Sequence, residues 1–568
     1  MASTILPAGV ARGMPSSLQI KLRCNPVLHS NHPTRPRHLS CKAGGGRVDR
    51  RDVLLGLGGA AAGLASSRPG GALAEPIQAP DLGDCQPPDL PDTAPGVSCC
   101  PTYDPSAGII DFQPPPASSP LRVRPAAHLV DDEYLAKYEK AVALMKQLPD
   151  DDPRSFAQQW RVHCAYCDGA YDQVGFPDLE LQIHNCWLFF PWHRFYLYFH
   201  ERILGKLLGD ETFALTFWNW DAPGGMTLPP IYANQNSPLY DPIRNPVHQP
   251  PFLLDLDYSG TDTTVPSDQQ IVQNLEIMYR QMISGAKKKE LFFGQPYRPG
   301  DQPDPGPGTI ESVPHGPVHG WTGDPGQPNR ENMGNFYSAA RDPVFFAHHG
   351  NIDRLWNVWR DLRPGINTDF TDADWLDTSF LFYDEEARLV RVRVRDCLDT
   401  AALRYSYQDV GLPWLDAKPA TEAGTPAPAA GALPAKLDQT VRVTVTRPRT
   451  SRSRAEKDAE EEVLVVDGIE IANHFMYVKF DVYVNESEGG DDGGTAAARC
   501  AGSVALTPHL IRADKTGGSS VKTVARFGIC DLLDEIGADG DETIVVSLVP
   551  RCAGDMVTVG GVSIAYVK

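Results

Sequence analysis

Apolar positions recur at helical spacing in one part of the chain and at strand spacing in another. Leu135, Tyr138, Val142 and Met145 fall on one face of a helix expected over 131–148. Residues 187–208 form a second helix, crowded with aromatics, that stops at Gly209. Ser267-Asp-Gln-Gln270 reads as a capping box ahead of a third, 271–283. Asp342-Pro343 supplies a cap and a first-turn proline for a fourth, running to Trp359. After Trp414 the texture changes. Residues 416–437 carry Ala, Pro, Thr and Gly with little bulk, as a linker does. Alternating runs follow at 441–446, 463–471, 475–484, 543–549 and 557–567, broken by Gly and Asp. The expected fold is a mainly α domain built on a four-helix bundle, then an all-β sandwich. Residues 75 to about 130, 222–266 and 294–330 are Pro- and Gly-bearing coil, and the charged stretch 451–462 reads as a solvated loop.

Charge changes the picture at the start of the chain. The whole carries −20, which disfavours phosphate-reading nucleic-acid binders. Yet the first 74 residues hold ten Lys and Arg against two Asp. A basic, acid-poor opening reads as an organelle transit peptide. Arg50-Arg51, a short Gly/Ala-rich apolar stretch and Ala72-Leu73-Ala74 read as a twin-arginine export signal with its cleavage site. Together they predict a chloroplast thylakoid lumen protein whose mature chain begins near Glu75. The expected organisation is leader 1–74, helical domain 75–415, linker 416–437 and sandwich 438–568. No apolar run is long enough to span a bilayer as a helix.

Candidate chemistry sits in the histidines. His315-Gly-Pro-Val-His319 puts two imidazoles one helical turn apart, so both can reach one metal. His348-His349 lies in an apolar helix, where an imidazole must find a partner. His163, His184 and His193 form another triplet, with His193 inside Phe189-Phe-Pro-Trp-His-Arg-Phe195. His200 reads as a satisfied core histidine. Any one of these is more often structural than a ligand, but two aromatic-embedded sets change the balance. Imidazole suits copper, zinc, iron and nickel, so spacing leaves the metal open. Cys164-Ala-Tyr-Cys167 has CxxC spacing, a weak redox or zinc signal.

With these residues the chain resembles plant polyphenol oxidases, the catechol oxidase and tyrosinase group of type-3 copper proteins. Residues 161–196 look like the family's first copper region and 311–356 like its second. Asp374-Trp375-Leu376, Tyr405-Ser406-Tyr407 and Lys479-Phe480-Asp481-Val482 match its later motifs. The resemblance implies two copper ions held by His163, His184 and His193 and by His315, His319 and His349. It implies a thioether between Cys167 and His184, and disulfides Cys85–Cys100 and Cys99–Cys164, which dissolves the CxxC reading. It assigns Phe336 to the bulky residue above the second copper and Glu311 to the acid that orients an active-site water. Two positions depart. Cys186 stands where a small residue such as Ser is usual and reads as a packed thiol. Gly316 stands where some monophenol-hydroxylating members carry Asn.

The expected activity is O2-dependent oxidation of o-diphenols to o-quinones, with weak monophenol hydroxylation in doubt. The C-terminal domain is expected to keep the enzyme latent, as a shield. A haemocyanin-like oxygen carrier and a dizinc hydrolase are the rival readings.

Overall fold

The computed structural model describes residues 75–568 apart from 89, 95, 263, 421–425, 487–497 and 509–521. The expected leader lies outside the described residues. Helices dominate the first part and antiparallel strands the last. All four expected helices are present: Asp132–Gln147, Phe189–Leu208, Ser267–Tyr279 and Val344–Leu362. Ser267 is not a cap, however; it is already the first helical residue, and Pro266 before it offers no side-chain acceptor. The helix Phe156–Cys167 was not expected. It starts at Ser155, whose hydroxyl accepts the Gln158 N–H, as an N-cap should.

The Pro-rich opening is stapled to this body by disulfides Cys85–Cys100 and Cys99–Cys164, with Cα–Cα separations of 5.7 and 5.3 Å. Arg122–Arg124 then pairs in parallel with Tyr405–Tyr407. Both tyrosine hydroxyls donate to Asp353 on Val344–Leu362, and Asp353 also takes Arg194 of Phe189–Leu208. This buried cluster joins the two central helices to the end of the helical part.

In the C-terminal part, Cys500–Leu506, Val478–Val484, Thr543–Cys552 and Val441–Thr446 lie side by side in one antiparallel sheet. A second sheet is centred on Glu461–Ile471, which pairs with Lys522–Gly528 on one side and Gly561–Val567 on the other. Leu464 and Val466 from one sheet share a hydrophobic core with Phe480 and Val482 from the other. Strand alternation then turns Lys479 and Asp481 the opposite way, where both are buried against the helical part. Two strands, Cys500–Leu506 and Lys522–Gly528, were not expected. The stretch 451–462 is not a solvated loop. It holds a capped helix, Arg454–Ala459, and ends in buried Glu461 and Glu462. Arg447 forms a two-pronged ion pair with Glu462, which allows that burial. Within 416–437, Ala427 and Gly431 donate backbone hydrogen bonds to Glu486 and Arg442, and Ala435–Lys436 is a strand. Among the described residues no helix is long and apolar enough to cross a membrane.

Candidate metal centre

His163 lies near the end of Phe156–Cys167, and its Nδ1 donates to the Phe336 carbonyl at 3.1 Å. A carbonyl only accepts, so the proton sits on Nδ1 and the lone pair on Nε2. His193, one turn into Phe189–Leu208, does the same with its own helix: Nδ1 donates to the Phe189 carbonyl at 2.8 Å. His184 comes from a loop, and Gln182 braces it. The Gln182 amide donates to the Cys167 carbonyl at 3.0 Å, and its oxygen accepts the His184 N–H at 3.0 Å. The loop is thereby tied to the end of the His163 helix.

The second set stands on two neighbouring elements. A wide turn, Glu311–His315, runs straight into the helix Gly316–Thr322. His315 Nδ1 donates to the Glu311 carbonyl at 3.0 Å, and His319 Nδ1 to the Met333 carbonyl at 2.7 Å. His348 and His349 come from Val344–Leu362. Asp342 fixes that helix start by accepting the Val344 N–H at 2.9 Å while Arg244 grips both carboxylate oxygens.

The donor atoms of His163, His184 and His193 lie within 4.8 Å of one another, as do those of His315, His319, His348 and His349. The sets face each other. The rings of His193 and His349 stack at 4.2 Å between centroids. Nε2 of His163, of His193 and of His315 is buried and has no hydrogen-bond partner. Burial pushes these imidazoles down, His193 to about 3 and His319 to about 4, so they are neutral at ordinary pH. Converging neutral lone pairs with nothing to bind cost free energy, and metal ions remove that cost. The residues present fit two metals with imidazole ligands. Zinc, iron and nickel accept such ligands as well as copper does.

The open side of the site is formed by Asn185, Glu311, His315, Gly316 and Phe336. Glu311 Oε1 accepts the Asn185 N–H at 2.6 Å, while Oε2 is buried without a partner. Burial raises the Glu311 pKa well above the carboxylate range. Phe336 stacks on His184 of the first set at 4.1 Å, and its ring is 6.1 Å from His319 and 6.5 Å from His315. Its ring thus contacts the first set more closely than the second. Across this opening lies the edge strand Cys500–Leu506. Ala505, Leu506 and Thr507 leave a cavity of about 10 Å³, room for a water and not for a phenol ring. The Ser312 hydroxyl donates to the Ser503 carbonyl at 3.1 Å and accepts the Ala505 N–H at 3.3 Å. Phe336 N–H donates to the Pro508 carbonyl at 3.2 Å.

Three family descriptions match the chain from residue 153 onward. "Common central domain of tyrosinase" matches residues 153–362, "Polyphenol oxidase middle domain" 369–420, and "Chloroplastic Polyphenol Oxidase C-terminal domain" 433–566. A polyphenol oxidase of Malus domestica, named chloroplastic, is 52% identical over 562 residues, covering 93% of this chain and 92% of the relative. The chain belongs to the plant polyphenol oxidases. Aureusidin synthase of Antirrhinum majus is 52% identical over 505 residues, covering 86% of this chain and 88% of the relative. The solved structure of latent apple tyrosinase superimposes with a TM-score of 0.77 at 54% identity, covering 81% of this chain and all of that one.

Cys167 of this polyphenol oxidase is a buried free thiol at the foot of the Gln182 brace. Cys186 is buried too, its thiol 3.6 Å from the Ile183 carbonyl, as a packed residue. His200 stacks flat on Phe346 at 3.6 Å and bonds Gln159, away from both sets. Sequence reasoning missed Asn185 and the residues 503–508 at the opening. Asn185 had a signal: it follows a candidate ligand directly. The strand had none, since it is buried throughout and shows no polar alternation.

Proposed function

We propose that the chain oxidises o-diphenols to o-quinones with O2 at a type-3 dicopper centre, made latent by its C-terminal part. The observation that carries this is the convergence of neutral, buried imidazole nitrogens in two facing sets. We assign His163, His184 and His193 to one copper and His315, His319 and His349 to the other. When bound, the copper pair supplies oxygen activation and accepts the two electrons of the diphenol. Backbone carbonyls hold the rings of His163, His193, His315 and His319, which fixes those four tautomers before metal arrives. Phe336 offers an aromatic face to the substrate ring. The unpartnered Glu311 oxygen holds a water, or the phenol hydroxyl, and takes up its proton. Gly316 leaves that water without a neighbouring amide, which favours diphenols over monophenols.

The same reading extends to the fold. Four helices, Phe156–Cys167, Phe189–Leu208, Gly316–Thr322 and Val344–Leu362, form the bundle that carries four of the six ligands, with His315 just ahead of the third and His184 on a loop. The two sheets form a sandwich over residues 438–568, joined through 416–437 to the catalytic domain 75–415. The leader 1–74 directs the chain to the thylakoid lumen. Cys167 and His184 join in a thioether, a bond from sulfur to an imidazole carbon with net loss of two hydrogens to O2. Peptide mass spectrometry of copper-loaded protein should find the linked peptides lighter by two hydrogens. Recovery of alkylatable Cys167 from active enzyme would rule the link out.

The test of the whole is metal analysis followed by oxygen uptake and quinone absorbance with a diphenol and a monophenol, before and after proteolysis of 416–437. Copper content with quinone formation, increased by the cut, is the expected result. Reversible O2 binding without quinone would mean a carrier. Zinc with oxygen-insensitive activity would mean a hydrolase.

A further inference from the structure

The second set contains four imidazoles, and two of them are neighbours in sequence. His348 and His349 are both fully buried, and the donor atom of each lies within 4.8 Å of those of His315 and His319. Proximity alone therefore does not say which one takes the metal. The hydrogen-bond chemistry of His348 does. The indole N–H of Trp220 points at His348 Nδ1 from 3.1 Å. An indole can only donate. Nδ1 must then carry a lone pair, so the neutral ring holds its proton on Nε2. A protonated Nε2 has no lone pair for a metal, and imidazolium would set two donors against each other. The Nε2 atom itself is buried and makes no well-aligned hydrogen bond. Its ring lies parallel to that of His315, with centroids 5.4 Å apart. His349 has no such restraint: its Nδ1 is unpartnered, and its Nε2 lies 3.4 Å from that of His319.

Trp220 cannot swing aside. The backbone of Trp218 donates to the Ala347 carbonyl at 2.8 Å, one residue before His348. Asp221 accepts from Asn351 and Arg354 on the same helix, and from the Trp414 indole at 2.9 Å. The segment 218–221 is thus clamped along Val344–Leu362 with its indole fixed on His348.

We propose that Trp220 selects the ligand: its hydrogen bond to Nδ1 locks His348 as the Nε2–H tautomer and leaves the second copper to His349. The proposal rests on the dicopper reading. For His348 to ligate through Nε2, its proton must move to Nδ1, where it would face the indole N–H. Removing the indole removes that obstacle, so Trp220 acts as a positioning residue through His348.

The experiment uses the full chain and reads copper by analysis and by competition with a chelator of known affinity. Wild type should hold two coppers; fewer would count against the dicopper reading itself and not against the lock. His349→Ala should lose the second copper, its affinity falling at least 100-fold. Trp220→Phe alone should keep both. In Trp220→Phe/His349→Ala the second copper should return, at least tenfold tighter than in His349→Ala, and adding His348→Phe should abolish it again. Full second-copper affinity in His349→Ala would overturn the proposal, as would a double variant no better than the single one. Neutron diffraction from the unmutated protein tests the lock without any variant. Deuterium on Nε2 of His348 and none on Nδ1 is expected, and the reverse overturns it.

Discussion

In the first histidine set each imidazole comes from a separate piece of backbone: a helix end, a braced loop and the first turn of another helix. In the second, two neighbouring elements deliver four imidazoles, and the site lies against the edge strand Cys500–Leu506. The first set is closed in by aromatic side chains of the helical part, with His163 against Trp192, Tyr196 and Phe345. The second borrows part of its enclosure from the C-terminal sheet part. A site built from scattered backbone depends on the whole fold for its geometry. A site built from adjacent residues has spare donors, so it needs a device that chooses among them, and a cover that is removable. The two halves therefore divide the work: one is fixed, and the other is where access and selection are set.

The largest effect comes from breaking either half. His193→Ala and His319→Ala should each leave about one copper per chain and cut diphenol oxidation by more than about 100-fold. Full copper occupancy in either variant would remove that histidine from the ligand set. The comparison sharpens in the order of loss. Gln182→Ala, which frees the His184 loop, should weaken only the first copper. Equal weakening of both coppers by chelator competition would show that the halves are not independent.

Next in size is the cover. The Tyr477 ring packs against Gly320, where an added Cβ would come within 3.2 Å, and its hydroxyl donates to the Tyr258 carbonyl at 2.8 Å. Lys479 adds an ion pair to Asp257 at 3.1 Å. These contacts hold the sheet part beside the second set. A tethered domain has a high effective concentration, so weak contacts suffice to keep it in place. Tyr477→Ala should raise diphenol oxidation by uncut protein by roughly tenfold and shrink the further gain on proteolysis. Copper content should not change. An uncut Tyr477→Ala protein as inactive as wild type would mean that the cover is held elsewhere.

The histidines were legible because bulky aromatics surround them at short range, and that pattern survives in one dimension. The helix Phe156–Cys167 was missed although Ser155-Phe-Ala-Gln158 has the spacing of a capping box, because Gln158, Gln159 and Arg161 interrupt its apolar face. The strand Cys500–Leu506 was missed for a physical reason of its own. It is buried on both faces, with Ala505 in the helical core and Val504 and Leu506 in the sheet core, so no polar alternation appears. The Trp220–His348 bond joins residues 128 apart, and nothing local announces it. Patterning reveals what a segment buries; it does not reveal which distant segment will lie on top.

Gly316 ties the cover to specificity, with a smaller effect. A Cβ there would meet the Ala505 carbonyl at 3.3 Å and Thr507 Oγ1 at 3.6 Å. Gly316→Asn should therefore loosen the latent form slightly as its amide displaces the strand edge. In the proteolysed enzyme the same amide should help Glu311 hold its water and raise monophenol turnover a few-fold relative to diphenol. Measuring both substrates before and after the cut separates the two consequences. An unchanged substrate ratio in the cut enzyme would leave Gly316 as a packing residue only.

The smallest effect is a pH dependence on the second-set side. Asp241 is 5% exposed, and burial, with Asp342 close by, pushes its carboxyl up to about 6. It accepts the Asn332 side-chain N–H at 2.9 Å, behind the helix start that carries His348 and His349. A carboxyl raised in the folded state binds its proton more tightly there than in the unfolded chain, whose value is near 3.8. Its contribution to stability is complete below the unfolded value and is lost as pH rises through about 6. Between pH 7.5 and 5 it should therefore stabilise the fold by about 1 kcal/mol. The melting temperature should rise over that interval, and Asp241→Asn should flatten the rise without altering copper content. The amide has no charge to bury but one acceptor oxygen for two donors, Asn332 and the Ile243 N–H, so the two effects oppose each other at pH 7.5. If wild type and variant gain equally on acidification, the slope belongs to other carboxylates. Asp255, likewise pushed up to about 6 by burial, is then the next to replace.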